Sequence, residues 1–245
     1  YFTDLKAVAL YNIALPTANI LVYFPRAVNG VLLPLASELW AKKQKALLRA
    51  GVESLYKYSL IVVMPIALAI FSFSELVISI LYGESYVPAS LSLKILVIGM
   101  VVATLYGINA NFFSGIGKPL IVSKILYMAA IFNLVGNLIL IPIIGIVGAA
   151  ITTTASYFIM TAVSFINIRK FIDISVPLKI WVKTLVAGAI FILIMWLLKK
   201  IIFLNVWLKT SLVLAISGIC YIGLLFLLRI INVDEIKKLY KRIIK

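Results

Sequence analysis

Residues 7–36 read AVALYNIALPTANILVYFPRAVNGVLLPLA, an apolar run with a single arginine, Arg26, inside it. A helix needs about 20 apolar residues to cross the hydrocarbon core of a bilayer, so this run is long enough to span a membrane. A permanent cation at that depth costs about 2.5–3.5 kcal/mol even on the gentlest insertion scale. We therefore predict a membrane-spanning helix whose charge is met by cavity water, by another part of the protein or by an anionic substrate.

The composition of the whole chain is that of an integral membrane protein. Hydrophobic residues make up 64% of the 245 residues and charged residues only 13%, about half of the share that is usual in soluble proteins. Most of the 23 basic residues cluster between apolar runs, which is typical of orientation signals and lipid-headgroup contacts rather than of nucleic-acid binding. Histidine is absent and Cys220 is the single cysteine. We therefore predict no metal site and no cofactor.

Seven apolar segments are long enough to cross a membrane, and several are separated by Gly- and Pro-containing breaks such as residues 142–145. They cover approximately residues 7–39, 55–82, 89–113, 120–141, 146–168, 180–198 and 206–231. We predict an all-α membrane protein with seven transmembrane helices. Residues 1–171 form a bundle of five spans, residues 172–231 add two further transmembrane helices, and residues 232–245 form a basic amphipathic helix on the membrane surface.

The distribution of basic residues predicts the orientation of the spans. The first, third and fifth connections and the C-terminal tail are rich in lysine and arginine, whereas the second and fourth connections contain none. By the positive-inside rule the basic connections and the C-terminus are cytoplasmic, although three lysines in the sixth connection oppose the rule. Seven spans then place Tyr1 outside. Because the chain begins there without a methionine, we expect that more protein precedes it.

A row of polar residues follows one face of the first span. Asn12, Asn19 and Arg26 recur every seven residues, with Tyr23 in the same row. This face is typical of a cavity wall, and we take all four residues as candidate substrate-binding residues, because ionisable groups inside a membrane are functional by default. In the alternative interpretation, the amides bond to neighbouring helices and Arg26 pairs with an acid in the absent part of the protein.

Weaker polar patterns mark the third and fourth spans. Asn111 shares a face of the third span with Thr104 and Gly107, while Asn133 and Asn137 lie one turn apart in the fourth. Small and hydroxyl-bearing residues at such places usually indicate close helix packing and interhelical hydrogen bonds. We add Asn111, Asn133 and Asn137 to the candidate substrate-binding residues, with this structural role as the alternative.

Three stretches of the sequence resemble a known family. They are LYGESYVPASLSLKIL at residues 81–96, NFFSGIGKP at 111–119 and NLVGNLILIPIIGIVGAAITTTASY at 133–157. Together they resemble the polysaccharide-biosynthesis flippases, which move lipid-linked oligosaccharides and belong to the multidrug, oligosaccharidyl-lipid and polysaccharide exporter superfamily. The likeness extends over about residues 11–169, in order and with similar spacing.

The resemblance implies two lobes of six helices that face a central cavity, followed by two extra helices. The seven spans would then be the last seven of fourteen, and an N-terminal lobe and the first helix of the second lobe would be missing. Members of the family move polyprenyl-linked oligosaccharides from the cytoplasmic to the outer leaflet. In related flippases, arginines that line the cavity are thought to hold the pyrophosphate, and Arg26 matches one of them by position in the helix and not by a motif.

The predicted function is therefore a flippase of the cell membrane that works by alternating access. Its predicted partners are a lipid-linked oligosaccharide, membrane lipids and the missing N-terminal lobe, and nucleic acid is not among them. The sequence contains no phosphate-binding loop, no nucleophile elbow and no paired acids of the kind that enzymes use. It therefore does not predict an enzyme. Three alternatives stay open: an ion-coupled multidrug efflux antiporter, a membrane enzyme such as a lipid-linked glycosyltransferase, and a scaffold that transports nothing.

Overall fold

A computed structural model describes residues 5–231 as a set of long helices. Its elements are α1 (Leu5–Ala41), α2 (Lys45–Ser72), α3 (Ser74–Tyr82), a 3₁₀ helix (Glu84–Ala89), α4 (Ser90–Gly115), α5 (Pro119–Ile144), α6 (Ile146–Ile168), α7 (Leu178–Ile201) and α8 (Val206–Leu227). Seven helical stretches within the described range are long and apolar enough to cross a membrane. The predicted all-α membrane fold is thus confirmed. The amphipathic helix predicted for residues 232–245 lies outside the described residues.

Most of the predicted bounds differ from those of the helices, and two of the differences have a clear physical reason. The apolar segment at residues 55–82 belongs to two helices, α2 and α3, because the helix breaks at Phe73, whose φ of −115° and ψ of 22° are not helical. The fourth span does not stop at Pro142 but continues to Ile144. It ends at Gly145, whose positive φ of 60° is a conformation that glycine adopts without strain.

The chain divides into two compact units, residues 1–176 and 177–245. In the first unit, α4 is the central helix and packs against α1, α2, α5 and α6. Small residues of α1, including Ala14 and Ala18, are fully buried and allow α1 and α4 to approach closely. Larger apolar residues of α4, such as Leu93, Leu96 and Met100, fill the core beside them.

The ends of four helices lie together at one end of the first unit. The Phe171 ring, just after α6, lies 6.2 Å from the Trp40 ring of α1 and 6.1 Å from the Phe113 ring of α4. The same end includes the start of α2 at Lys45, because only a short turn separates α1 from α2. The basic connections of this unit that were predicted to be cytoplasmic therefore lie together at one end.

The second unit is a helical hairpin of α7 and α8. Asn205 caps α8 by accepting a hydrogen bond from the Leu208 amide at 2.9 Å, which is the usual role of asparagine before a helix. The rings of Phe191 and Tyr221 meet edge to face with their centroids 5.7 Å apart. The ring contact packs α7 against α8.

Candidate functional site

A recess of about 290 Å³ lies among α1, α4 and α6 in the first unit. Its walls combine polar groups with a flexible apolar lining. They are formed by Asn19, Val22, Pro25, Arg26, Met100, Ala103, Thr104, Tyr106, Gly107, Ala110, Asn111, Tyr157 and Met160. The recess is slightly smaller than the range of about 300–1,000 Å³ that is typical of small-molecule pockets.

Arg26 lines this recess with a charge that the described part of the protein does not neutralise. Its side chain is exposed, and its guanidinium carbon lies 5.9 Å from the centroid of the Tyr23 ring. The ion pairs among the described side chains involve other basic residues and not Arg26. A cation–π contact at this distance is a weak attraction and leaves the charge able to bind an anion.

The other candidates of α1 and α4 divide between the recess and the surface. Asn19 and Asn111 line the recess together with Arg26. Asn12 and Tyr23 are exposed on α1, Tyr23 to 63%, and they do not line the recess. The structure therefore brings together three of the predicted residues: Asn19 and Arg26 from α1, and Asn111 from α4.

Asn133 and Asn137 lie instead in a hydrogen-bonded network between α1, α5 and α6. Asn133 donates from Nδ2 to Thr153 Oγ1 at 3.2 Å, and the Tyr11 hydroxyl lies 2.9 Å from the same oxygen. Asn137 donates from Nδ2 to Asn133 Oδ1 at 2.9 Å and accepts from the Thr152 hydroxyl. Since these groups pair with one another, the network joins three helices.

A second buried network was missed by the sequence analysis. Tyr56 of α2 donates to Asn109 Oδ1 of α4, and Asn109 donates from Nδ2 to Ser164 Oγ of α6 at 2.8 Å. All three residues are completely buried. Asn109 stands two residues from Asn111, so the sequence alone could not tell which of the two faces a recess and which faces the core.

A cluster of charges outside the recess holds the segment that follows α6. The Glu53 carboxylate accepts hydrogen bonds from the Ser175 amide at 2.8 Å and the Ser175 hydroxyl at 2.9 Å. Arg49 Nε donates to the same carboxylate at 2.8 Å. These hydrogen bonds hold Ser175 against α2, although Ser175 and Glu53 are far apart in the sequence.

The comparisons with known proteins agree with this architecture. A family model described as "Polysaccharide biosynthesis protein" matches residues 1–91. A solved structure, "Lipid II flippase MurJ, inward closed conformation", is similar in fold with a TM-score of 0.78 and 15% sequence identity, over 91% of this chain and 47% of that one. A probable low-salt glycan biosynthesis flippase of Haloferax volcanii is 25% identical over 71% of this chain and 37% of its own length. The resemblance to the polysaccharide-biosynthesis flippase family is confirmed.

A further relative matches the whole chain. An uncharacterized membrane protein of Methanocaldococcus jannaschii is 42% identical over 100% of this chain and 48% of its own length. The chain thus spans about half the length, or less, of these relatives.

Proposed function

We propose that this chain forms part of a flippase that moves a polyprenyl-phosphate- or pyrophosphate-linked oligosaccharide from the cytoplasmic to the outer leaflet of the cell membrane. The observation that carries the proposal is Arg26, a cation without an acidic partner among the described side chains, on the wall of a recess between membrane-spanning helices. The names of two relatives, a glycan biosynthesis flippase and a lipid II flippase, support the same class of cargo.

Phosphate chemistry explains why an arginine is suitable at this place. The planar guanidinium donates two parallel hydrogen bonds to phosphate oxygens, and such charge-assisted bonds are about twice as strong as neutral ones. A phosphate or pyrophosphate brings the negative charge that the described residues do not supply. Binding therefore removes much of the cost of holding an arginine within the membrane.

Alternating access is the proposed mechanism. The remaining part of the flippase would form a second lobe, and the two lobes would enclose a cavity that opens first to the cytoplasm and then to the outside. The headgroup would cross inside this cavity while the polyprenyl tail stays in the bilayer. The basic end of the first unit and the C-terminus are assigned to the cytoplasm in this proposal, as the positive-inside rule predicts.

The proposal favours a flippase over the multidrug antiporter. An ion-coupled antiporter of this superfamily would use an acidic residue in its spans to bind Na⁺ or H⁺. The residues that line the described recess include an arginine and amides but no acid. Two of the proteins that this chain is similar to are named as flippases, one of them as a probable flippase, which supports this choice.

Substitution of Arg26 in the full-length protein tests the proposal. Loss of an arginine that is hydrogen-bonded to a phosphate in a desolvated site costs about 2–5 kcal/mol, so we expect Arg26→Ala to weaken binding of a polyprenyl diphosphate at least about thirtyfold and to abolish surface glycan export. Arg26→Lys keeps the charge and should retain part of the activity. Arg169→Ala removes an exposed arginine at the end of α6 and is the matched control. Export at the wild-type rate by folded Arg26→Ala protein would refute the proposal.

A further inference from the structure

Tyr106 is a buried residue that has no role in the proposed binding of phosphate. It lies on α4, is 9% exposed and lines the recess with Arg26. Its hydroxyl oxygen is buried and has no hydrogen-bond partner within the described residues. Buried polar atoms nearly always have a partner in native proteins, so we take the unpaired hydroxyl of this recess-lining tyrosine as a group that a bound molecule completes.

Two amides extend this polar wall. Asn19, from α1, is half-buried and forms no side-chain hydrogen bond with any group in residues 5–231 that the structure describes. Asn111 donates from Nδ2 to the Gly107 carbonyl at 2.9 Å, which leaves its Oδ1 atom as an acceptor. The residues that line the recess with Arg26 therefore include an unpaired hydroxyl, an unpaired amide and an amide oxygen that can accept a hydrogen bond.

The chemistry of these groups distinguishes two kinds of ligand. A phosphate only accepts hydrogen bonds and is suited to the guanidinium. A sugar hydroxyl both donates and accepts, so it is suited to neutral amides and hydroxyls that do the same. Met100 and Met160 supply flexible apolar surface in the same recess, which can pack against the apolar face of a sugar ring.

We propose that the recess is a sugar subsite, in which Tyr106, Asn19 and Asn111 bind the sugar attached to the phosphate that Arg26 holds. The volume of about 290 Å³ suits a single ring more than a chain of sugars. This inference rests on the proposed flippase function and adds to it a group of residues that selects the first sugar of the cargo.

Binding of two probes to the full-length protein in detergent tests the subsite. The probes are a short polyprenyl diphosphate without sugar and the same lipid with a single hexose on the diphosphate. Loss of one neutral hydrogen bond corresponds to a change in affinity of about three- to tenfold. We expect Tyr106→Phe to weaken binding of the glycosylated probe by about this factor and to change binding of the bare probe less than twofold. Asn19→Ala should be selective in the same way, which keeps the test valid if one variant folds poorly.

The controls separate failure of the subsite from failure of the flippase proposal. Tyr127→Phe makes the same chemical change at a residue of α5 that is 73% exposed, and should alter neither affinity. Arg26→Ala should weaken both probes. The subsite is wrong if Tyr106→Phe and Asn19→Ala change neither affinity, or change both equally, while Arg26→Ala still weakens both probes. If the wild-type protein binds neither probe, the proposed function is wrong as well.

Discussion

Gly99 offers the sharpest test of how α4 and α6 form the recess. A Cβ atom on Gly99 would lie 2.8 Å from Thr154 Oγ1, 3.0 Å from Thr154 Cα and 3.1 Å from the Tyr157 ring. Thr154 cannot rotate away freely, because its hydroxyl donates to the Ile95 carbonyl at 3.0 Å. Gly99→Ala must therefore break this hydrogen bond or push α4 and α6 apart.

The cost of Gly99→Ala follows from these contacts. Carbon atoms pack best at about 3.5–4.0 Å, and overpacking of a core by one methyl group typically costs about 1–3 kcal/mol. Replacement of glycine by alanine in a helix also gains about 1 kcal/mol from helix propensity. Gly51→Ala in α2 isolates this gain, because nothing lies within 4 Å of the Cβ that it would add. We expect Gly51→Ala to stabilise the protein, and Gly99→Ala to be about 1–3 kcal/mol less stable than Gly51→Ala.

Equilibrium unfolding of the two variants in mixed detergent micelles, followed by circular dichroism, measures this difference. The same variants should differ in ligand binding, because Tyr157 both contacts the added methyl and lines the recess. We expect weaker binding of the glycosylated lipid probe by Gly99→Ala and unchanged binding by Gly51→Ala. Equal stability of the two variants would refute the close approach of α4 and α6 on which the recess depends.

Two further predictions concern contacts outside the recess. Asn109→Leu removes the hydrogen bonds to Tyr56 and Ser164, so we expect a loss of about 1–3 kcal/mol in the free energy of unfolding, and a change within the experimental error would contradict this role. Glu53→Ala removes the acceptor of the Ser175 amide, so hydrogen exchange at that amide should accelerate, whereas Glu53→Gln keeps an acceptor oxygen and should accelerate it less. Exchange at the wild-type rate in Glu53→Ala would show that the carboxylate does not protect the segment after α6.

The helices could be predicted because their signal is local. Apolar length alone indicates a transmembrane helix, and residues 146–168 were predicted with the bounds that α6 has in the structure. The break at Phe73 could not be predicted in this way, because the helices on both sides of it are apolar and together read as one long segment. The continuation of α5 past Pro142 was missed for a related reason: a proline near the end of a helix removes one hydrogen bond but does not force the helix to stop.

The candidate site was harder to predict because it depends on how helices face one another. The seven-residue spacing places Asn19 and Arg26 on one side of α1, and both line the recess in the structure. The same spacing includes Asn12, which is exposed beyond the recess. Tyr106 carried no signal in the sequence, since a tyrosine in an apolar helix is unremarkable until its hydroxyl is known to lack a partner.

Hydrogen-bond satisfaction separates the polar groups that hold this bundle together from those that are suited to bind cargo. Asn109 and Asn133 lie between helices, and their side chains bond to groups of neighbouring helices. Removal of such a group should destabilise the fold, because its partners lose a bond inside a region that water does not reach. The hydroxyl of Tyr106 has no such partner among the described residues. Tyr106→Phe should therefore leave the fold as stable as before, or more stable, while it weakens binding of the glycosylated lipid. A residue whose role is only to stabilise the fold would not show unchanged stability together with weaker binding, because its substitution would lower the free energy of unfolding.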